Sequence, residues 1–271
     1  MFTFYKFKTE TKCLHQGGML TLTLMAFLAS VLGCGGKIPA PKGLISEPGP
    51  YHEALDRREA QLRSLSGELS VELWEQSKRI GVRQLFASQA PSKLRIDTLT
   101  PFEQPLATVI FNTDLLSVHD REAGRFMIGE ANPQHFERLT KLRLHPREMT
   151  ALLNGHTPRI SHSGGSLTWD EKRGRALLTL TQGARQQLIT FDEKDFTPRM
   201  IELYENDNLL VRILLAEYTA KEPKLPLKLR IELPRQEITV NTKLLDHTIN
   251  PELPEAAFSV EAPKGLNPVS F

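Results

Sequence analysis

The sequence predicts an α+β fold that is mainly β: a curved antiparallel sheet of about eleven strands forming a half-open barrel, with a few short helices over its concave face. Three observations lead there. Apolar and polar residues alternate with period two over much of the chain, most plainly in KLPLKLRIEL, where Leu225, Leu227, Leu229, Ile231 and Leu233 oppose Lys224, Lys228, Arg230 and Glu232. Strands of that kind bury one face and wet the other. Turn signals such as Asn112-Thr-Asp, Glu122-Ala-Gly, Gln182-Gly and Glu205-Asn-Asp-Asn cut the pattern at hairpin spacing. Helical periodicity is confined to three short segments, too few to sandwich a sheet that long, so the sheet must curl on itself.

Taken in order, the chain opens with Lys6, Lys8 and Lys12, followed by MLTLTLMAFLASVL from Met19 to Leu32, fourteen residues without a charge. A spanning helix needs roughly 20 apolar residues, so residues 1–33 read as a secretory signal peptide. The junction Val31-Leu-Gly-Cys34 resembles the lipobox of bacterial lipoproteins. That resemblance implies cleavage before Cys34, lipidation of its thiol and an anchor in a membrane. Cys13 falls in the segment expected to be removed, which leaves neither a disulfide nor a cysteine zinc site in the mature chain. Residues 35–50, GGKIPAPKGLISEPGP, hold four prolines and four glycines and read as a tether. Fully extended, it would reach about 50 Å at roughly 3.3 Å per residue.

Residues 51–271 are expected to form one domain. A helix is predicted over Tyr51–Leu65, with Leu55, Leu62 and Leu65 near one face. Strands follow over Leu65–Leu73, Gly81–Ala87, Lys93–Leu99, Leu106–Asn112, Leu115–His119 and Arg125–Ile128. Two short helices, HFERLTKL and PREMTALLNG, interrupt the pattern; Pro146 suits a helix start and Gly155 a stop. Strands resume over Ser166–Asp170, Arg175–Thr181, Gln186–Asp192, Arg199–Glu205, Leu209–Tyr218 and Leu225–Leu233.

The composition excludes more than it offers. A net charge of +2, spread along the chain, leaves no nucleic-acid footprint. The eight histidines do not stand at metal-ligand spacing, and no G-x-S-x-G elbow or phosphate loop occurs. The reading is therefore a protein that is not an enzyme and carries no cofactor or metal. The inward residues Leu69, Val71, Leu94, Ile96, Leu227, Leu229 and Ile231 are expected to line an apolar pocket, because three short helices cannot fill so wide a concave face. Pattern alone leaves the other arrangement open, a barrel filled by its own side chains. TLTPFEQ, between two strands, places Leu99 and Phe102 in a connection bounded by Pro101 and Pro105.

At this point the chain resembles the LolA/LolB family of bacterial lipoprotein carriers and outer-membrane receptors, its LolB-like, lipid-anchored members above all. The parts that carry the resemblance read SKLRIDTLTPFEQPLATVIF, then LLSVHD and GRFMIG, then PREMTALLNG. The resemblance implies an eleven-stranded half-barrel that binds the acyl chains of lipoprotein or lipid cargo and passes them to the outer membrane. It also implies a periplasmic carrier as donor and an apolar residue, here Phe102 with Leu99 beside it, projecting into the bilayer. Gln104 stands where the family has a glycine, and no tryptophan occurs in Met149–Asn154. Gly35 rather than aspartate follows Cys34, which by analogy directs the lipoprotein outward, to face the periplasm; the chain is read as a monomer. The other function class left open is a structural or sensory envelope lipoprotein with a filled barrel that binds a protein partner.

Overall fold

Two meanders meet at the centre of one open, curved sheet of fourteen strands. The computed structural model describes residues 37–162, 164–259 and 261–271; the expected signal peptide and Cys34 lie outside the described residues. Helix α1 (Gly49–Gln61) leads into β1 (Ser64–Glu75), β2 (Lys78–Gln89), β3 (Lys93–Leu99), β4 (Pro105–Asn112), β5 (Leu115–Asp120) and β6 (Arg125–Glu130). Helices α2 (Pro133–Thr140) and α3 (Pro146–Leu153) come next. The second meander runs through β7 (Gly165–Asp170), β8 (Arg175–Gln182), β9 (Arg185–Asp192), β10 (Thr197–Glu205), β11 (Asn208–Tyr218), β12 (Pro226–Leu233) and β13 (Ile238–Ile249). A short β14 (Pro268–Ser270) closes the chain.

The strand order is β14-β6-β5-β4-β3-β2-β1-β13-β12-β11-β10-β9-β8-β7. This order explains why helices cover the concave side. Strands β6 and β7 are consecutive in sequence yet stand toward opposite edges of the sheet, so the chain between them must cross its face. Residues 131–164 make that crossing, and α2 and α3 are the regular part of it. Both helices begin where the sequence supplies caps. Asn132 Oδ1 accepts from the His135 N–H at 2.8 Å and Pro133 follows as the first helical residue. His145 and Glu148 form a capping box ahead of Pro146. Gly155, at φ +74°, ends α3 in a conformation that favours glycine.

The structure differs from the sequence reading in five places. The sheet has fourteen strands rather than about eleven and remains open. It is antiparallel except where β14 pairs parallel with β6. Strand β13 was not foreseen, and α1 stops at Gln61, which makes Leu65 part of β1. The described tether residues 37–48 form no helix or strand, yet they are fastened. The Ile38 N–H donates to the Glu171 carbonyl at 2.8 Å, Trp169 Nε1 donates to the Ile38 carbonyl at 2.8 Å, and Lys37 lies 3.0 Å from the Glu171 carboxylate. One glycine is required by close approach. A Cβ on Gly67 would lie 2.0 Å from the Asp246 carbonyl oxygen, beside a register shift in the β1–β13 pairing.

The core divides into two halves. Over β8–β11 much of the inner face is packed: Leu178, Leu180, Ile189, Phe191, Ile201 and Ile213 are buried. Tyr51 of α1 packs edge-on against Phe191 and Phe196, with ring centroids 5.1 and 4.9 Å apart. An apolar space of about 30 Å³ remains beneath α3 on this side, and a largely polar one of about 350 Å³ lies between the start of α3 and Leu203, Val211 and Leu233. Over β1–β5, β12 and β13, the C-terminal end of α3 meets β2 and β3, but elsewhere the two crossing helices stand away from the sheet.

Candidate functional site

Where they fail to meet, a cavity of about 320 Å³ remains between the sheet and α2 and α3. Its walls are the inward residues of the central strands. Leu69, Val71 and Leu73 come from β1, Ile80, Val82 and Gln84 from β2, Ile96 and Thr98 from β3, Ala107 and Val109 from β4, and Leu229 and Ile231 from β12. Phe136, Leu139, Leu142, Met149 and Leu153 form the opposite wall. The β1–β2 register pairs Leu69 with Gln84, Val71 with Val82 and Leu73 with Ile80, so one ladder of inward pairs lines the space. Exposure rises along that ladder, from Leu69 at 4% to Ile80 at 55%. The cavity therefore opens at the β1–β2 turn and closes toward α3.

Of the seven residues expected to face a pocket, Leu69, Val71, Ile96, Leu229 and Ile231 line this cavity. Leu94 and Leu227 do not. They share the inward face but sit at the closed end. Leu94 is buried opposite Ser88 and Phe111. Leu227 borders a residual space of about 10 Å³ with Pro226 and Leu152. Period two identifies a face and carries no information about depth along it. The residues missed include Ile80, Val82, Gln84, Thr98, Val109, Thr242 and the helix wall. Ile80 extends an alternation already present in Val82, while Phe136 and Leu139 stand at helical spacing.

Of the two loop residues expected to project, Phe102 is exposed and Leu99 is half-buried. A turn from Thr100 to Gln104 joins β3 to β4, and its backbone closes with the Thr100 N–H donating to the Gln104 carbonyl at 2.8 Å. Thr100 Oγ1 accepts from the Phe102 and Gln104 N–H groups at 3.3 and 3.2 Å. Glu103, at φ +62°, reaches back to Arg83 at 3.1 Å. These contacts hold Phe102 at the tip, 86% exposed. Leu99 does not share that position; it is half-buried at the end of β3, paired with Arg83 and Pro105. Thr98 and Ala107, which flank the turn, line the cavity, so Phe102 stands beside its mouth.

Chemically, the site offers apolar surface and little else. Among the described residues, no group of three or more His, Cys, Asp or Glu is placed to hold a metal ion, and no helix is long and apolar enough to cross a membrane. The buried His156 lies away from the cavity lining; its Nε2 is 2.6 Å from the Leu62 carbonyl oxygen. Burial lowers its pKa, partly offset by that hydrogen bond.

No family model matches the chain, and no curated protein does. Solved structures do. A DUF1329 family protein from Desulfovibrio piger superposes with a TM-score of 0.61 at 10% identity, covering 79% of this chain and 98% of its own. A LolA superfamily protein from Nitrosomonas europaea gives 0.54 at 14% identity, with 79% and 98% covered. A putative outer membrane lipoprotein-sorting protein domain from Vibrio parahaemolyticus gives 0.56 at 12% identity, with 76% and 94% covered. The chain has a LolA/LolB-like fold.

Proposed function

We propose that the protein is an acyl-chain-binding lipoprotein, anchored through Cys34 to the periplasmic face of the outer membrane, that accepts lipid or lipoprotein cargo from a periplasmic carrier and delivers it to the bilayer. The observation that carries this reading is the 320 Å³ apolar cavity, open at one end, in a LolA/LolB-like sheet. Filling it with about ten methylenes would contribute about 8 kcal/mol at roughly 0.8 kcal/mol per CH₂, before the costs of association. A bilayer offers the same burial, so handover needs no nucleotide and no catalytic step. Phe102, held at the mouth, supplies the contact that orients the opening toward lipid.

The space on the β10–β12 side, about 350 Å³, is lined by Arg143, Arg185, Arg235, Glu148 and Glu205, which suits water rather than an acyl chain. The apolar cavity beneath β1–β4, β12 and β13 is therefore the one that suits an acyl chain. Native mass spectrometry of the full chain, purified without added lipid, tests the reading: a copurifying acyl lipid is expected, displaced by a fluorescent apolar probe. Protein that is folded, lipid-free and blind to the probe would end it. A mature N-terminal peptide beginning at an acylated Cys34 is the matching expectation for the anchor. An unmodified thiol there would remove both the anchor and the membrane assignment.

A further inference from the structure

Two polar side chains stand face to face in the apolar wall. Gln84 and Thr98 are direct partners across β2 and β3, and Gln84 Nε2 donates to Thr98 Oγ1 at 3.1 Å. Both are half-buried, both line the cavity, and their neighbours on the same face are Val82, Phe86 and Ile96. Thr98 is the last inward residue of β3, opposite Ala107, the first inward residue of β4 after the Phe102 turn. The pair therefore sits part-way down the wall, level with Leu69 and Ala107, with Val82 and Ile80 nearer the β1–β2 turn and Ile96 and Val109 below it. Among the described residues, neither the Thr98 hydroxyl proton nor Gln84 Oε1 has a protein partner. A wall built only to exclude water has no use for a free donor at that level. A ligand site does, because a few placed polar groups fix orientation in an otherwise apolar pocket.

The volume adds a second constraint. One water occupies about 30 Å³ in the liquid, and a methylene is of similar size. A space of 320 Å³ then holds about ten or eleven such groups, which is one chain of lauroyl length and not two. We infer that the cavity takes a single acyl chain and binds the ester or amide carbonyl at its head through the Thr98 hydroxyl, with Gln84 holding that hydroxyl in place. The inference rests on the acyl-binding reading above and narrows it to singly inserted amphiphiles. Any further chain of a diacyl or triacyl lipid stays outside.

The test uses the full chain, produced in the cytoplasm so that Cys34 remains a thiol. Displacement of a fluorescent naphthalene probe is measured with dodecane, methyl laurate and dilauroyl phosphatidylcholine. Methyl laurate should bind about fivefold more tightly than dodecane, the ratio expected from one net hydrogen bond. Thr98→Val should abolish that ratio and leave dodecane affinity unchanged; Gln84→Leu should reduce it. The diacyl lipid should bind no more tightly than methyl laurate, because only one of its chains is inserted. Equal affinity of the wild type for dodecane and methyl laurate, or a ratio that survives in folded Thr98→Val, would overturn the carbonyl contact. Tighter binding of the diacyl lipid would overturn the single chain. Failure of dodecane itself to bind would strike the acyl-binding reading on which the inference depends.

Discussion

Ser88 Oγ donates to Asn154 Oδ1 at 2.9 Å, and both side chains are fully buried. The bond ties β2 to the residue that ends α3, while the Asn154 amide donates to the Thr150 carbonyl at 3.1 Å. Since α3 carries Met149 and Leu153, this contact positions one wall of the cavity. Ser88→Ala would leave Asn154 Oδ1 buried without a donor, at a cost of about 1–3 kcal/mol. Denaturant unfolding should show a lower midpoint with an unchanged slope, and apolar probe binding should weaken as α3 loosens.

A second buried contact lies on the opposite face of the sheet. The Glu202 side chain is 2% exposed, with Arg212 Nε at 2.7 Å and Arg173 further off at 3.9 Å. Arg212 also reaches Glu232 at 3.3 Å, joining β10, β11 and β12. Arg212→Met would leave the buried Glu202 carboxylate with only the more distant Arg173, and about 1–3 kcal/mol of stability should be lost. Glu202→Met combined with Arg212→Met should recover most of it, because the buried charge is then gone. A double variant as unstable as the single one would mean that packing of the arginine stem dominates.

How much of this was legible in the sequence follows from what each signal measures. Alternation in β1, β3 and β12 exposed the inward face directly, and Pro146 and Gly155 marked the second crossing helix. Strand β13 was passed over because Thr242 interrupts its inward set Ile238, Val240 and Leu244, while Leu245 is an exposed leucine on the other face. Yet Thr242 lines the cavity, as do Gln84 and Thr98, so the residues that blur the apolar pattern are the ones a pocket wall contains. The difference between hollow and packed parts was not legible at all. It depends on how far α2 and α3 stand from the sheet, which no local pattern encodes. The docking of Ile38 on Trp169 joins residues 131 apart in sequence, and proline and glycine content says nothing of such a contact.

Filling the cavity separates binding from folding. Val71 lines it, opposite Val82. Val71→Phe adds a ring into empty apolar space, so stability should hold or rise by about 1 kcal/mol, with binding of an apolar probe weakened tenfold or more. In a packed core the same change would cost about 1–3 kcal/mol through overpacking. Thermal melts alongside probe titration decide between the two.

His156 predicts a pH dependence. Burial lowers its folded-state pKa below the ordinary value of about 6.5, so the unfolded chain binds the proton more readily. Stability from this group is therefore complete above about pH 6.5 and is lost as pH falls through the folded value. His52, His119 and His145 are lowered as well, each first by burial, so the total acid sensitivity belongs to no single residue. The difference between wild type and His156→Gln isolates one. The gap in melting temperature should be widest near pH 8 and narrow toward pH 5. A gap independent of pH would mean that His156 does not titrate in this range.

Phe102 brings the last test, because its position makes two accounts give opposite forecasts. At 86% exposure on a turn fastened by Thr100 and Glu103, its ring takes no part in the core. Phe102→Glu should leave the melting temperature within a degree or two and probe affinity unchanged. A core phenylalanine would instead lose several kcal/mol, since a charge would be buried without a partner. Burial of the ring at a bilayer interface contributes about 1.5–3 kcal/mol, too little to anchor the protein but enough to bias the mouth toward lipid. Transfer of bound lipid from Phe102→Glu to liposomes should therefore slow by about tenfold, with Phe102→Leu close to wild type. Unaltered transfer by the folded glutamate variant would remove the loop from the delivery step and leave the cavity to act without it.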